Sequence, residues 1–542
     1  MKDFRSSLKG IAALYRPFRW RVLVSILTGI LRVAASMAFV WVSKRLIDIV
    51  TGESDSALGT CVWILAGIVL FRIAANVFAS YWENLTVVIA QNTLRRETFS
   101  HLLRSRWNGR EEYHSADAVN RIYEDIRVLV DLVCVRIPDI TVTLCQLAAA
   151  SVFLVLMAPG LLGLLLALMV IGIIGSRMFF RTQRRITSEI RNLDSDSQRH
   201  IQDNLQNRAI VLSQIGVNNV LDRFHDIQDS LLDASVRRLN YNSISRGFMS
   251  FGMMAGYTAA FLWGIFGIRD GSVTYGMMTA FLQLVGQVQM PLSNLARHIP
   301  AFIQSLTSEE RLAELDALPE ADWAAGKTLS EAPAIVFENV TFAYSDIDKA
   351  VLEDFNHTFP AGSLTVITGQ TGRGKSTLVR LAMGLLEPQS GTVRFRLSDG
   401  KTAPLAMSNY MYVPQDNALL SGTIRENLLL TAPDATEDMM KEALHTAVAD
   451  FVFELPLGLD TPCGESGSGI SRGQAQRIAI ARALLHSGTV LILDEATSSL
   501  DTDTEGIFLE RLAEKYCGKK TVLFVSHQGH VSSFADEKLH MI

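Results

Sequence analysis

Charge is scarce in this chain. Only 19% of its 542 residues are Asp, Glu, Lys or Arg, and a net charge of −5 leaves no basic excess. Nucleic-acid binding needs a concentrated positive surface, so the composition argues against that partner. Cysteine is scarcer. Cys61, Cys134, Cys145, Cys463 and Cys517 stand far apart, without the spacing of a zinc site or a disulfide framework. They read as small core residues in a reducing compartment. A cleavable signal peptide is also missing, because no short apolar stretch near the N-terminus is followed by a small-residue cleavage site. Arg16, Arg19 and Arg21 instead precede the first apolar run, as in an amphipathic segment lying on the cytoplasmic membrane face.

Apolar residues are what the chain has in abundance, at 49% of the total, and they are unevenly distributed. Runs at about 22–47, 58–84, 129–157, 159–180, 247–268 and 273–303 are each long enough to cross a bilayer as a helix. Basic residues set the orientation. Arg95, Arg96, Arg104, Arg106, Arg110, Arg121 and Arg127 lie between the second and third runs, and a second arginine series from Arg181 to Arg238 lies between the fourth and fifth. Both connections are therefore expected in the cytoplasm, with both termini, in a multi-pass protein of the cytoplasmic (inner) membrane. Lys44 and Arg45 fall on the other side and are outnumbered. The two basic connections lack proline and keep helical apolar spacing (Leu94, Phe99, Leu102; Ile201, Leu205, Leu212), so the helices are expected to continue tens of ångströms beyond the membrane. Trp107 to His114 and Ala209 to Gly216 are the expected turns at their tips. These signals divide the chain into an all-α transmembrane domain (1–316), a linker rich in Pro, Gly and small residues (317–333), and an α/β domain (334–542).

The α/β domain carries the chemistry. Gly369-Gln370-Thr371-Gly372-Arg373-Gly374-Lys375-Ser376-Thr377 follows an apolar strand and precedes an apolar helix. In that setting, glycines let backbone N–H groups converge on nucleotide phosphates, Lys375 adds a full charge, and Ser376 can ligate Mg²⁺. Strands at Ile335–Phe342, Leu364–Thr368, Tyr410–Val413, Val490–Leu493 and Thr521–Val525 are expected to form a mainly parallel, two-faced sheet. The buried strand ending at Asp494-Glu495 supplies two carboxylates: Asp494 for the Mg²⁺ shell and Glu495 to polarise the attacking water. Gln415, after its own strand, can sense Mg²⁺ and water. His527 can contact the γ-phosphate or be a surface residue, and Tyr344 can stack on adenine or belong to the core. Asp501, in Ser499-Leu500-Asp501, can touch a neighbouring active site.

Ile470-Ser471-Arg472-Gly473-Gln474, followed by the helix Gln476 to Leu484, resembles the signature of the ATP-binding cassette transporters. The resemblance covers nearly the whole chain: six spans, two long cytoplasmic excursions and one fused ATPase match a type IV exporter half-transporter. It implies that ATP is bound between one P-loop and Ser471, Gly473 and Gln474 of a second half-transporter, and that Glu495 and His527 hydrolyse it. Glu465 lies in the loop that precedes the signature in exporters. Arg472 departs from the usual glycine, which leaves a homodimer and a heterodimer both open. The family further implies ATP-driven export of a hydrophobic, amphipathic, lipid-like or peptide substrate by alternating access. The alternative is an importer built on the same fold, of the siderophore-uptake kind. Arg32, Arg72, Glu83 and Arg136 lie in or near spans, where ionisable groups face a cavity or pair between helices. The methionines and phenylalanines of the fifth and sixth spans can line a site that repacks, or simply pack.

Overall fold

The computed structural model describes residues 4–53, 57–106, 115–177, 180–213, 216–321, 328–344, 349–370, 372–415, 419–463, 469–526 and 530–541. The chain divides into two compact units, Met1–Thr98 with Val119–Leu315 and Phe99–Ala118 with Asp316–Ile542.

The first unit is helical throughout. Its elements are α1 (Phe4–Tyr15), α2 (Arg19–Val50), α3 (Leu58–Arg104, which ends in the second unit), α4 (Ser115–Asn120, which begins in the second unit), α5 (Ile126–Asp131), α6 (Ile137–Met157), α7 (Pro159–Arg177), α8 (Phe180–Gln206), α9 (Arg208–Ser213), α10 (Val217–Arg269) and α11 (Tyr275–Asp316). Among the described residues, α2, α3, the run ending in α6, and α10 are each long and apolar enough to cross a membrane. At 47 and 53 residues, α3 and α10 are far longer than the ~20 residues that a bilayer core requires. Polar Gln283, Gln287, Gln289, Asn294 and His298 interrupt the apolar character of α11, which also contains Pro291 and Pro300.

Helix packing here depends on missing side chains. A Cβ on Gly29 of α2 would come within 2.2 Å of Val142 on α6, and one on Gly264 within 2.6 Å of Met278. The buried cluster beside these contacts includes Val40, Leu154, Leu165, Ala260, Phe281 and Val288. At the far end of α2, Asp48 accepts hydrogen bonds from Thr274 Oγ1 (2.6 Å) and Gly276 N (3.2 Å), capping the start of α11. Lys44 Nζ lies 2.8 Å from the same carboxylate.

The second unit is built on two sheets. β3 (Leu364–Gly369), β6 (Tyr410–Val413), β9 (Val490–Asp494), β10 (Thr521–Val525) and β11 (Glu537–Met541) form a parallel sheet in the order β11-β3-β10-β9-β6. β1 (Ala334–Phe342), β2 (Leu352–Phe359), β4 (Ser390–Arg396) and β5 (Thr402–Ala403) form a separate antiparallel sheet. The sequence expectation of one mainly parallel sheet therefore needs correction at β1. The link from β1 to β2 is too short for a parallel crossover and returns the chain as a hairpin. β7 (Gly422–Thr423) and β8 (Pro462–Cys463) form a small two-stranded pair. Around these lie α12 (Lys375–Ala382), α13 (Ile424–Leu429), α14 (Glu437–Thr446), α15 (Arg472–Leu485) and α16 (Thr502–Tyr516). Every residue of β9 and β10 is buried, and separate apolar clusters cover the two faces of the sheet. Continuous apolar strands are what a sheet covered on both faces requires.

Residues 99–106 also belong to this second unit. Arg106 N donates to Pro319 O (2.7 Å) and Ala321 N to Arg104 O (2.9 Å), so the end of α3 and the start of the linker form a short antiparallel ladder. His101 Nδ1 lies 2.9 Å from Glu320, and Arg106 is paired with Glu387 at 2.5 Å. The expected tip from Trp107 to His114 lies outside the described residues, as do part of the second tip, Glu465 and linker residues 322–327.

Candidate functional site

β3 runs into its glycine loop at the edge of α12. Gly372 and Gly374 both have φ +84°, a left-handed conformation that glycine adopts without strain. At Gly374 space is short as well, since a Cβ would sit 2.6 Å from Val351 Cγ1. Lys375 begins α12 and is buried, with Nζ donating to Gly369 O (2.9 Å) and Gln370 O (3.1 Å). Its charge is thereby held over the loop, where a phosphate can take it up. Thr377, on the first turn, shares a 2.9 Å hydrogen bond with the Tyr344 hydroxyl. Tyr344 also accepts from Arg380 (3.3 Å) and packs edge-on against Phe342. Thr371 lies outside the described residues, and Arg373 is exposed on the loop.

β9 delivers the carboxylates to this loop. Ser376 Oγ donates to Asp494 Oδ1 at 3.4 Å, joining the P-loop helix to the end of the central strand. Burial pushes the Asp494 carboxyl above its ordinary range and Glu495 adds to the rise, while the Ser376 bond, Arg380 and Lys375 oppose it. The next residue, Glu495, has φ +52°, an uncommon conformation for a side chain of this type. Its backbone is held on both sides: Glu495 N donates to Val525 O (3.1 Å), and Gln476 Nε2 donates to Glu495 O (3.2 Å). Gln415 Nε2 donates to Glu495 Oε2 at 2.8 Å, so the expected water-positioning amide and the expected base are already in contact. His527 lies outside the described residues.

The signature residues are arranged as a helix start. Ser471 caps α15 in a reciprocal box: Gln474 N donates to Ser471 Oγ (3.2 Å), and Ser471 N to Gln474 Oε1 (3.0 Å). Gly473 is held close to Ser499, where a Cβ would lie 2.8 Å from the carbonyl oxygen. Arg472 is exposed at the first helical position, so its side chain does not disturb the cap. Asp501 caps α16 through Thr504 N (2.9 Å) and Thr504 Oγ1 (2.8 Å), and these bonds hold its carboxyl below the usual range. Gln476 has no motif that marks it as a site residue in the sequence. It is buried, donates to Glu495 O and accepts from Ser499 N (3.1 Å), tying the signature helix to the residue after β9. The one available signal was an amide on a helix face otherwise occupied by Ala and Ile.

Ser376, Asp494 and Gln415 offer oxygens of the hard type that Mg²⁺ prefers, and the first two already share a hydrogen bond. A small oxygen-seeking cation fits this donor set. Among the described residues there is no cluster of three or more His, Cys, Asp or Glu side chains that could hold a metal by itself. Phosphate oxygens and water would have to complete the shell, as is usual for Mg²⁺ at nucleotide sites.

Comparison with known proteins agrees with both units. Residues 22–292 match the family model described as the ABC transporter transmembrane region, and residues 352–498 match the one described as ABC transporter. The chain belongs to the ABC transporter family, and it is an ATP-binding, ATPase-coupled multi-pass membrane transporter of the exporter fold. Over 550 residues it is 26% identical to the ATP-dependent lipid A-core flippase of Haemophilus influenzae, covering 98% of this chain and 92% of that protein. It is 26% identical over 523 residues to YknV, an uncharacterised ABC transporter ATP-binding protein of Bacillus subtilis, covering 95% and 86%. The leukotoxin export protein LtxB of Aggregatibacter actinomycetemcomitans is 37% identical over 281 residues, which is 51% of this chain and 39% of that one. A bacterial Atm1-family ABC exporter solved with ATP bound has the same fold, with a TM-score of 0.77, 23% identity and coverage of 97% and 94%.

Proposed function

We propose that this chain is one half of a dimeric exporter of the cytoplasmic membrane. ATP hydrolysis at Glu495 drives a hydrophobic, amphipathic, lipid-like or peptide substrate outward by alternating access. The transmembrane domain is 1–316, the linker 317–333 and the nucleotide domain 334–542, with both termini in the cytoplasm. The observation that carries the reading is the bonded series Gln415–Glu495 and Ser376–Asp494 beside a glycine loop, in a chain that also spans a membrane.

Each of these residues has a task. The loop amides and Lys375 bind and orient the phosphates, and Ser376 and Asp494 would hold Mg²⁺, which would supply charge neutralisation for phosphoryl transfer. Glu495 accepts the proton of the attacking water, Gln415 fixes that water's position, and His527 contacts the γ-phosphate. Ser471, Gly473 and Gln474 face the nucleotide of a second half-transporter, which can be another copy or a different chain. Asp501 touches the neighbouring site, and Tyr344 stands beside the adenine.

Inverted membrane vesicles containing the full chain test this reading. ATP-dependent uptake of an amphipathic fluorophore is expected, and Glu495→Gln should lower ATP turnover by about 10²–10⁴-fold, the usual worth of a positioned base. A Glu495→Gln protein that turns over ATP at the unmodified rate would remove the assigned base. ATP-dependent release from inverted vesicles would reverse the direction.

A further inference from the structure

Two guanidiniums stand inside the apolar stretches of α2 and α3. Arg72 follows Leu58 by about 21 Å along the helix axis, which places it deep in a hydrocarbon core of ~30 Å. Its charge is half-buried and lies 5.0 Å from the centre of the Phe39 ring. Among the described residues no carboxylate comes within ion-pair distance of it. Other cations of the same unit do find one: Lys44 with Asp48 (2.8 Å), Arg121 with Glu314 (2.8 Å), Arg136 with Asp131 (2.8 Å) and Arg237 with Glu189 (2.7 Å). Arg32 lies seven residues before Phe39, two turns away on the same face of α2, and interacts electrostatically with Glu83. Arg72, at this depth and without a carboxylate partner among the described residues, has the placement of a functional charge.

Between α2 and α3 is an apolar groove of about 450 Å³ walled by Leu31, Ala34, Ala38, Gly67, Ile68 and Phe71, and Leu31 and Phe71 adjoin Arg32 and Arg72 in sequence. The glycine here does something different from those at the packed helix contacts. A Cβ on Gly29 or Gly264 would collide with a neighbouring helix, whereas one on Gly67 would meet nothing within 4 Å. Close approach of helices does not require glycine at position 67. Its missing side chain opens the groove.

We infer that Arg72, Arg32 and this groove bind a transported amphiphile with an anionic headgroup, the acid lying on the guanidiniums and the chain along the groove. The inference rests on the exporter reading and adds the charge of the substrate to it. Phosphate or carboxylate oxygens complement a guanidinium in paired hydrogen bonds, and the Ala and Gly walls accept an alkyl chain without polar cost.

The test uses the full chain in nanodiscs of zwitterionic lipid, with dodecyl phosphate and dodecyltrimethylammonium as probes of matched chain length. Dodecyl phosphate should stimulate ATP turnover and the cationic probe should not. Arg72→Gln should raise the half-stimulating concentration about tenfold, the loss of one charge-assisted contact, while Arg72→Lys retains most of the response. Gly67→Leu, which keeps every charge and fills the groove, should remove the stimulation. Equal stimulation by both probes, or an Arg72→Gln protein that responds like the parent, would overturn the inference. So would a disulfide between two copies both carrying Ala38→Cys, which would show the groove closed by the second copy. Full stimulation by phosphatidylglycerol in the disc, with no added effect of dodecyl phosphate, would assign the site to a resident lipid and also overturn it. A parent chain that hydrolyses no ATP would instead sink the exporter reading itself.

Discussion

At the scale of single residues, the site is costly to fold and is held by its neighbours. Glu495 occupies a left-handed backbone position, and Val525 O, Gln476 and Gln415 fix it there through its amide, its carbonyl and its side chain. Asp494 carries a different cost, because burial disfavours its charged form. Below the ordinary carboxylate range the group is protonated in both the folded and unfolded chain, and it contributes nothing. As pH rises, the unfolded chain releases its proton first, so stability falls until the folded carboxyl has also ionised. Asp494→Asn should therefore raise the thermal midpoint of the nucleotide-free protein at neutral pH, and its advantage should shrink as pH falls through the carboxylate range. The same change should abolish Mg²⁺-dependent ATP turnover. Thermal denaturation of both proteins across pH gives the check, and an advantage independent of pH would contradict the assigned cause.

At the scale of elements, hydropathy and turn residues made most of the helices and strands legible. The long extensions of α3 and α10 followed from proline-free helical spacing, and β9 and β10 from short apolar runs rich in Val, Leu and Ile. What could not be read was which elements meet. β1 has the composition of any buried strand, and only its partners place it in an antiparallel sheet. The wide turns at Arg121–Asp125 and Leu132–Arg136, between α4 and α6, have no local sequence mark. Nor does the strap in which Arg104 to Arg106 pair with Pro319 to Ala321, since it joins segments more than two hundred residues apart. That strap supports a prediction. Ala321→Pro removes the N–H that donates to Arg104 O and keeps the extended backbone that Glu320 already adopts. Unstimulated ATP turnover should persist, while substrate stimulation falls by about fivefold as one element slackens between helix and nucleotide domain. Stimulation that survives unchanged would show that the strap carries no coupling.

At the scale of the molecule, the P-loop, the carboxylate pair and the signature were legible because each depends on residue types at fixed short spacings. Gln476 was not, because its role as a bridge appears only when α15 is laid against the end of β9. Arg72 was visible as a charge in an apolar run, but only the absence of a described carboxylate partner and the open space at Gly67 give it a ligand. The proposed export requires that nucleotide close two copies of the second unit and that this closure move the membrane helices. Double electron–electron resonance on the Glu495→Gln protein, spin-labelled either at exposed Lys519 or at exposed Thr51, measures both ends of that movement. With ATP and Mg²⁺, the distance between the two copies should shorten at Lys519 and lengthen at Thr51. Distances that stay at their nucleotide-free values at both positions would contradict the account.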